Sequence, residues 1–349
     1  MKHTLKTLGE PKVFVPIIMG VGLLVALLLF AGPRQALRLI GQFQLGYLIS
    51  FFLLTAGYEV VRCTQWYYLL TKLNLRVPLR TQVFAYAIGE VSKNLPVGNF
   101  LPDYLLTRSQ GTDFGRASSS SLLVSMLEVV VALGGIVIIG IDGWTWIRTV
   151  IIIGSFLFVL ITWALYRWHH SPHPATTAPT APRHVGHVPR WTSHILQWRW
   201  VQGGLHELQE FTKGEITLLH PQVIAVSTLA CAVYMVFTGL ALYAVILGLG
   251  LTGITWYEAL VASFFSLAVS TIIPVPTDLG SSEASGAGAL IALGLDPAGA
   301  VSALLLYRFL NLVAQILVAA LASLAFPGEF RAMWHARPTV AEPGRPQPA

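Results

Sequence analysis

Acidic and basic side chains stand inside apolar stretches of this chain. Glu59 and Arg62 lie three residues apart in one apolar run, Glu128 near the middle of another and Arg308 near the middle of a third. Lys93, Asp103, Asp278 and Glu283 fall in two further apolar stretches that proline and glycine interrupt. The first carries "KNLPVGNFLPD" with Pro96; the second carries "PVPTDLGSSEASGAGALIALG" with Pro274, Pro276 and Ser282. An ionisable group at mid-bilayer costs roughly 2.5–3.5 kcal/mol on insertion scales, so such groups pair with one another or mark a path for a polar substrate. The chemistry on offer is binding. Guanidinium and ammonium groups take phosphate, and carboxylates take cations or relay protons. Glu59 and Arg62 share a helix face and are expected to pair. Arg308 cannot shed its proton, so it needs Glu128, Asp103, Glu283 or a lipid phosphate.

Bond-making chemistry has no such support. The sequence holds no P-loop, no HExxH and no GxSxG, so no catalytic residue, no cofactor and no ATP-driven pumping is expected. Cys63 and Cys231 both sit in apolar runs and read as packing residues. The histidines between 169 and 200 are irregularly spaced and have no carboxylate or cysteine among them, so no metal site is expected.

The elements that position the charges are membrane spans. Of 349 residues, 54% are hydrophobic and 11% charged, where a soluble domain carries about 25% charged residues. The fold class expected is all-α, a polytopic integral membrane bundle. Full spans are expected at 14–31, 45–70, 118–141, 148–168, 223–249 and 300–326, each near the roughly 20 residues that cross a bilayer. The broken stretches, 82–107 and 256–294, read as half-helix, break, half-helix. In the second, Ser281 or Ser282 is expected to cap the returning half-helix. Two membrane halves follow, 1–168 and 221–326. A Pro/His/Thr-rich cytoplasmic linker with an interfacial helix separates them at 169–220, and a tail follows at 327–349. The net charge of +6 belongs to cytoplasmic loops beside anionic lipid and not to nucleic-acid binding. Lys/Arg asymmetry puts both termini inside, provided each broken stretch enters and leaves on one side. Arg34, Arg38 and Arg148 then fall outside. Both broken stretches are therefore expected to be re-entrant hairpins, the first opening to the cytoplasm and the second to the outside.

The two hairpins also align with each other. With two residues inserted in the second, Asp103 falls on Glu283 and Glu128 on Arg308. Three full spans between the hairpins make the repeats opposite in orientation, the pattern of transporters whose broken helices meet near mid-membrane. Irregular backbone at that depth is tolerated only where protein buries it or water reaches it. The expectation is a polar cavity between the hairpins, with half-helix N-termini favourable to phosphate.

"RCTQWYYLL", "LPVGNFLPDYLLTR" (ending at Arg108), the second hairpin and "LLLYRFLNL" resemble the transmembrane region of lysylphosphatidylglycerol synthases. That region recurs alone in flippase-like bacterial and archaeal proteins, some linked to hopanoid synthesis or polyprenyl-lipid glycosylation. The chain departs from the family pattern at Pro102-Asp103, where Gly-Glu is frequent, and at Glu128-Val129, where Glu-Arg is frequent. In two-part members the membrane region is taken to flip the aminoacylated lipid that a soluble domain makes; that domain, and with it aminoacyl transfer, is not expected here. The resemblance implies a multi-pass protein of a prokaryotic cytoplasmic membrane, and a flippase-like transporter of a polar-headgroup, phosphate-containing lipid. The substrate-binding set expected is Glu59, Arg62, Lys93, Pro96, Asp103, Arg108, Glu128, Pro274, Pro276, Asp278, Ser282, Glu283 and Arg308. The partner expected is the membrane lipid itself. The alternatives are a non-transporting accessory protein that binds a lipid-biosynthetic enzyme, and, less favoured, an intramembrane transferase. Neither the lipid nor the oligomeric state is readable from the sequence.

Overall fold

The computed structural model describes residues 29, 32–75, 77–92, 100–139, 214, 217–272 and 280–330. Nine principal helices run through these residues: α1 (Pro33–Gly41), α2 (Gly46–Lys72), α3 (Leu79–Ser92), α4 (Leu101–Gln110), α5 (Phe114–Ile139), α6 (Pro221–Gly248), α7 (Trp256–Ile272), α8 (Ser281–Ala292) and α9 (Pro297–Ala325). No strand occurs among the described residues. The chain is a polytopic helical membrane protein.

Length divides the helices into two kinds. α2, α5, α6 and α9 have 27, 26, 28 and 29 residues, which at 1.5 Å per residue exceeds a hydrocarbon core of about 30 Å. α5, α6 and α9 are each long and apolar enough to cross a membrane, and α2 passes the same test together with α1. By contrast α3, α4, α7 and α8 have 14, 10, 17 and 12 residues. They form two hairpins, α3–α4 and α7–α8, in place of two continuous spans. In the first, Gly89 meets the Pro102 ring so closely that a Cβ at Gly89 would stand 2.1 Å from Pro102 Cγ. In the second, Ser266 Oγ donates to the Ser282 carbonyl at 2.6 Å. The spans expected at 14–31 and 148–168, the linker, the interfacial helix and both hairpin tips lie outside the described residues.

The helix starts follow local chemistry. α6 and α9 open with proline at the first position, where a missing N–H costs nothing. His220 Nδ1 accepts from Gln222 N–H at 3.4 Å, and Asp296 accepts from Gly299 N–H at 2.9 Å. α4 stops at Gly111, whose φ of 68° admits a left-handed turn.

Helix order repeats. Long, short, short, long (α2 to α5) recurs as α6 to α9. Asp103 is the third residue of α4 and Glu283 the third of α8, as the alignment of the two hairpins requires. The two leading helices run antiparallel. Gln44 N–H, just before α2, donates to the Gly248 carbonyl at the end of α6 at 2.8 Å. Towards the other end of α2, Gln65 Nε2 donates to the Ser227 carbonyl in the second turn of α6 at 3.0 Å. The repeat is therefore inverted. Buried residues of α6, α7, α8 and α9, with Phe51 of α2, form one apolar cluster; α2, α5, α6 and α7 form a second, and α2, α3, α4 and α9 a third.

α1 was not expected. The Lys/Arg asymmetry assigns Arg34 and Arg38 to an outer loop and gives no helix there. Pro33–Gly41 forms a nine-residue helix bent by 92° from α2.

Candidate functional site

Between the hairpins lies a cavity of about 460 Å³. Every helix from α2 to α9 contributes to its wall, including Pro102 of α4 and Ser282 and Glu283 of α8. Among the described residues five charged side chains line it: Arg62, Glu90, Glu128, Glu283 and Arg308. The volume lies within the range of about 300–1,000 Å³ typical of small-molecule sites.

Arg62 organises one side. Its Nη1 stands 2.8 Å from Glu128 Oε1 of α5, and its Nε 3.8 Å from Glu90 Oε1 of α3. Nη1 also donates to the Tyr58 hydroxyl one turn back. The guanidinium carbon lies 5.6 Å from the Tyr58 ring centroid and 5.3 Å from that of Tyr234, within cation–π reach. Tyr234 O–H donates to the same Glu128 oxygen at 2.7 Å. One arginine thus ties α2, α3, α5 and α6 together.

The expected Glu59–Arg62 pair gives way to these contacts. On α2, Arg62 reaches outward to α3 and α5, while Glu59 Oε2 accepts from the Tyr86 hydroxyl of α3 at 2.9 Å.

Arg308 is held differently. Its Nε lies 3.3 Å from Glu283 Oε1, and its side chain is 27% exposed to the cavity. Among the described residues this is its one ion pair, and neither terminal nitrogen has a hydrogen-bond acceptor. The carboxylate partner is Glu283; the alignment partner Glu128 is committed to Arg62.

Glu283 corrects two further expectations. Ser281 and Ser282 do not cap α8. The N-cap is Gly280, at φ 87°, and Glu283 Oε2 reaches back to accept from the Gly280 N–H at 2.7 Å and from the Ser282 hydroxyl at 2.9 Å. The positive end of α8 is therefore filled by its own carboxylate, so a phosphate at this end has Arg308 to meet and not a bare helix terminus. On α4, Asp103 occupies the matching place and accepts from the Ser121 hydroxyl at 2.6 Å.

Of the residues singled out in the sequence, Arg62, Glu128, Ser282, Glu283 and Arg308 face one cavity. Glu59 and Asp103 are buried just behind its wall. Arg108 sits in the last turn of α4 and is not among the lining residues. Lys93, Pro96, Pro274, Pro276 and Asp278 lie outside the described residues. The sequence reading passed over Glu90, an acid inside an apolar stretch that meets the same criterion as Glu59 and Glu128. It also passed over Tyr58 and Tyr234. Tyr58 stands four residues before Arg62, which was a usable signal; Tyr234 had none. Among the described residues no group of His, Cys, Asp or Glu has the geometry to hold a metal ion.

Residues 17–319 match the sequence model of the family described as the lysylphosphatidylglycerol synthase TM region. The chain belongs to this family. The match covers both hairpins, the cavity and every lining residue named above. Membership connects the chain with membrane lipid. Among curated proteins, none matches it. In this member of the lysylphosphatidylglycerol synthase transmembrane family, the cavity presents a fixed arginine clamp on one wall and, on the other, an arginine whose terminal nitrogens have no acceptor among the described residues.

Proposed function

We propose that the protein is a lipid flippase-like transporter, moving a phosphate-containing, polar-headgroup lipid across a prokaryotic cytoplasmic membrane by binding and release without catalysis. The observation that carries this reading is the cavity itself. One polar chamber lies between two broken-helix hairpins of an inverted repeat, and both halves contribute charges to it. Arg308 provides the phosphate contact, because a guanidinium held at Nε still offers two parallel N–H donors. The tails stay in lipid. Opposed half-helices about a midplane site are how alternating-access transporters are built. The N- and C-termini lie in the cytoplasm on this reading, as the Lys/Arg asymmetry requires.

The test is reconstitution. Purified protein in liposomes carrying fluorescent phosphatidylglycerol or phosphatidylethanolamine is expected to move at least one of them between leaflets at a protein-dependent rate. No movement across a panel of headgroups, with stable capture of a lipid-biosynthetic enzyme by the same preparation, would replace transport with an accessory role.

A further inference from the structure

We propose that α1 is an interfacial helix carrying a second lipid site, in which Arg34 and Arg38 hold the phosphate of an anionic phospholipid outside the cavity. The two arginines are four residues apart, so they share one face about one turn from each other. Both are exposed, and among the described residues neither has an ion pair. The opposite face is anchored. Ala36 is fully buried, and its carbonyl accepts from Ser302 Oγ of α9 at 3.5 Å.

Position identifies the ligand. The 92° bend turns α1 across the direction of α2. Leu37 on α1 and Leu45 and Ile49 at the start of α2 are 63%, 73% and 68% exposed. In a membrane bundle such a surface meets acyl chains. The α6–α7 turn lies at the same end, since Gln44 N–H bonds Gly248. Just after it come exposed Trp256 and Tyr257, aromatic residues of the kind that settle at headgroup level. Two guanidiniums with no ion pair among the described residues, at headgroup level beside an acyl-facing leucine surface, fit a phosphate with tails attached. The Lys/Arg asymmetry points the same way. It leaves Arg34 and Arg38 among the few basic residues on the minority side, where topology does not require them. Ser302, under α1, is six residues before Arg308, about 9 Å along α9. A lipid held here sits at the rim above the cavity, and the site stands whether or not the cavity transports lipid.

Native mass spectrometry of the full chain, titrated in detergent with dioctanoyl phosphatidylglycerol and dioctanoyl phosphatidylcholine, tests this. The wild type is expected to bind the anionic lipid more tightly. Arg34→Gln is expected to lose about fivefold in that affinity, and Arg34→Gln with Arg38→Gln roughly thirtyfold. Both side chains are exposed, so the melting temperature should not change; Arg308→Gln should keep the α1 site. Glycerol 3-phosphate, which has no tails, should fail to compete. Equal binding of the two lipids, or undiminished phosphatidylglycerol binding in the folded double variant, would overturn the proposal. Competition by glycerol 3-phosphate would overturn the lipid assignment in favour of a soluble phosphate.

Discussion

Gly89→Ala should damage the first hairpin more than any other single added methyl on the short helices. The missing Cβ would stand 2.1 Å from Pro102 Cγ and 2.7 Å from Cδ, more than an ångström inside the 3.5–4.0 Å at which carbon atoms attract. The proline ring cannot swing aside as a long side chain does, so α4 must move away from α3. Overpacking of this kind costs about 1–3 kcal/mol, and a rigid ring at this distance places Gly89→Ala near the upper end. The second hairpin supplies a graded comparison. A Cβ at Gly286 would meet Leu304 Cδ1 at 3.0 Å, and one at Gly288 would meet nothing within 4 Å. Equilibrium unfolding in mixed detergent micelles should rank Gly288→Ala as most stable, then Gly286→Ala, then Gly89→Ala, with about 3 kcal/mol separating the extremes. Equal stability of Gly89→Ala and Gly288→Ala would mean that α3 and α4 do not touch at Gly89 and Pro102, and the hairpin would be lost with that contact.

Three further outcomes follow from the geometry. Arg62→Ala removes the guanidinium that stands 2.8 Å from buried Glu128 and should destabilise the fold by about 3 kcal/mol; adding Glu128→Gln should return part of that loss in the same unfolding measurement. Tyr234→Phe removes one hydrogen bond to Glu128 but keeps the ring beside Arg62, so it should cost about 1 kcal/mol, far less than Arg62→Ala. For orientation, a cysteine at Thr252, in the turn after α6, should react with an impermeant maleimide in intact cells; one at Asn74, in the turn after α2, should react only after permeabilisation.

Legibility in the sequence followed the range of the interactions. α2, α5, α6 and α9 were readable because an apolar run long enough to span is a local property. That neither 82–107 nor 256–294 is one continuous helix was readable for the same reason: helices end at Ser92 and Ile272 and begin again at Leu101 and Ser281. Asp103 and Glu283 could be matched because both hairpins place an acid in the first turn of the returning helix. Pairing across helices was not readable. Arg62 is 66 residues from Glu128 in the chain, and nothing local favours that partner over Glu59. Arg308 required a carboxylate, but three were available, and only packing of α8 on α9 selects Glu283. Its capping role depends on Gly280 holding φ at 87°, which serine-rich composition obscured. α1 escaped because a short helix anchored by one buried alanine has no apolar run to announce it.

The central claim is that Arg308 meets the headgroup of a lipid in transit. Its most direct test is leaflet-to-leaflet movement of fluorescent phospholipid in proteoliposomes, measured for wild type and Arg308→Gln at matched protein content and with melting temperature measured in parallel. A folded variant with translocation reduced at least tenfold is expected, with poor rescue by Arg308→Lys, which offers a point charge in place of a planar fork. Wild-type translocation by a stable Arg308→Gln variant would contradict the claim.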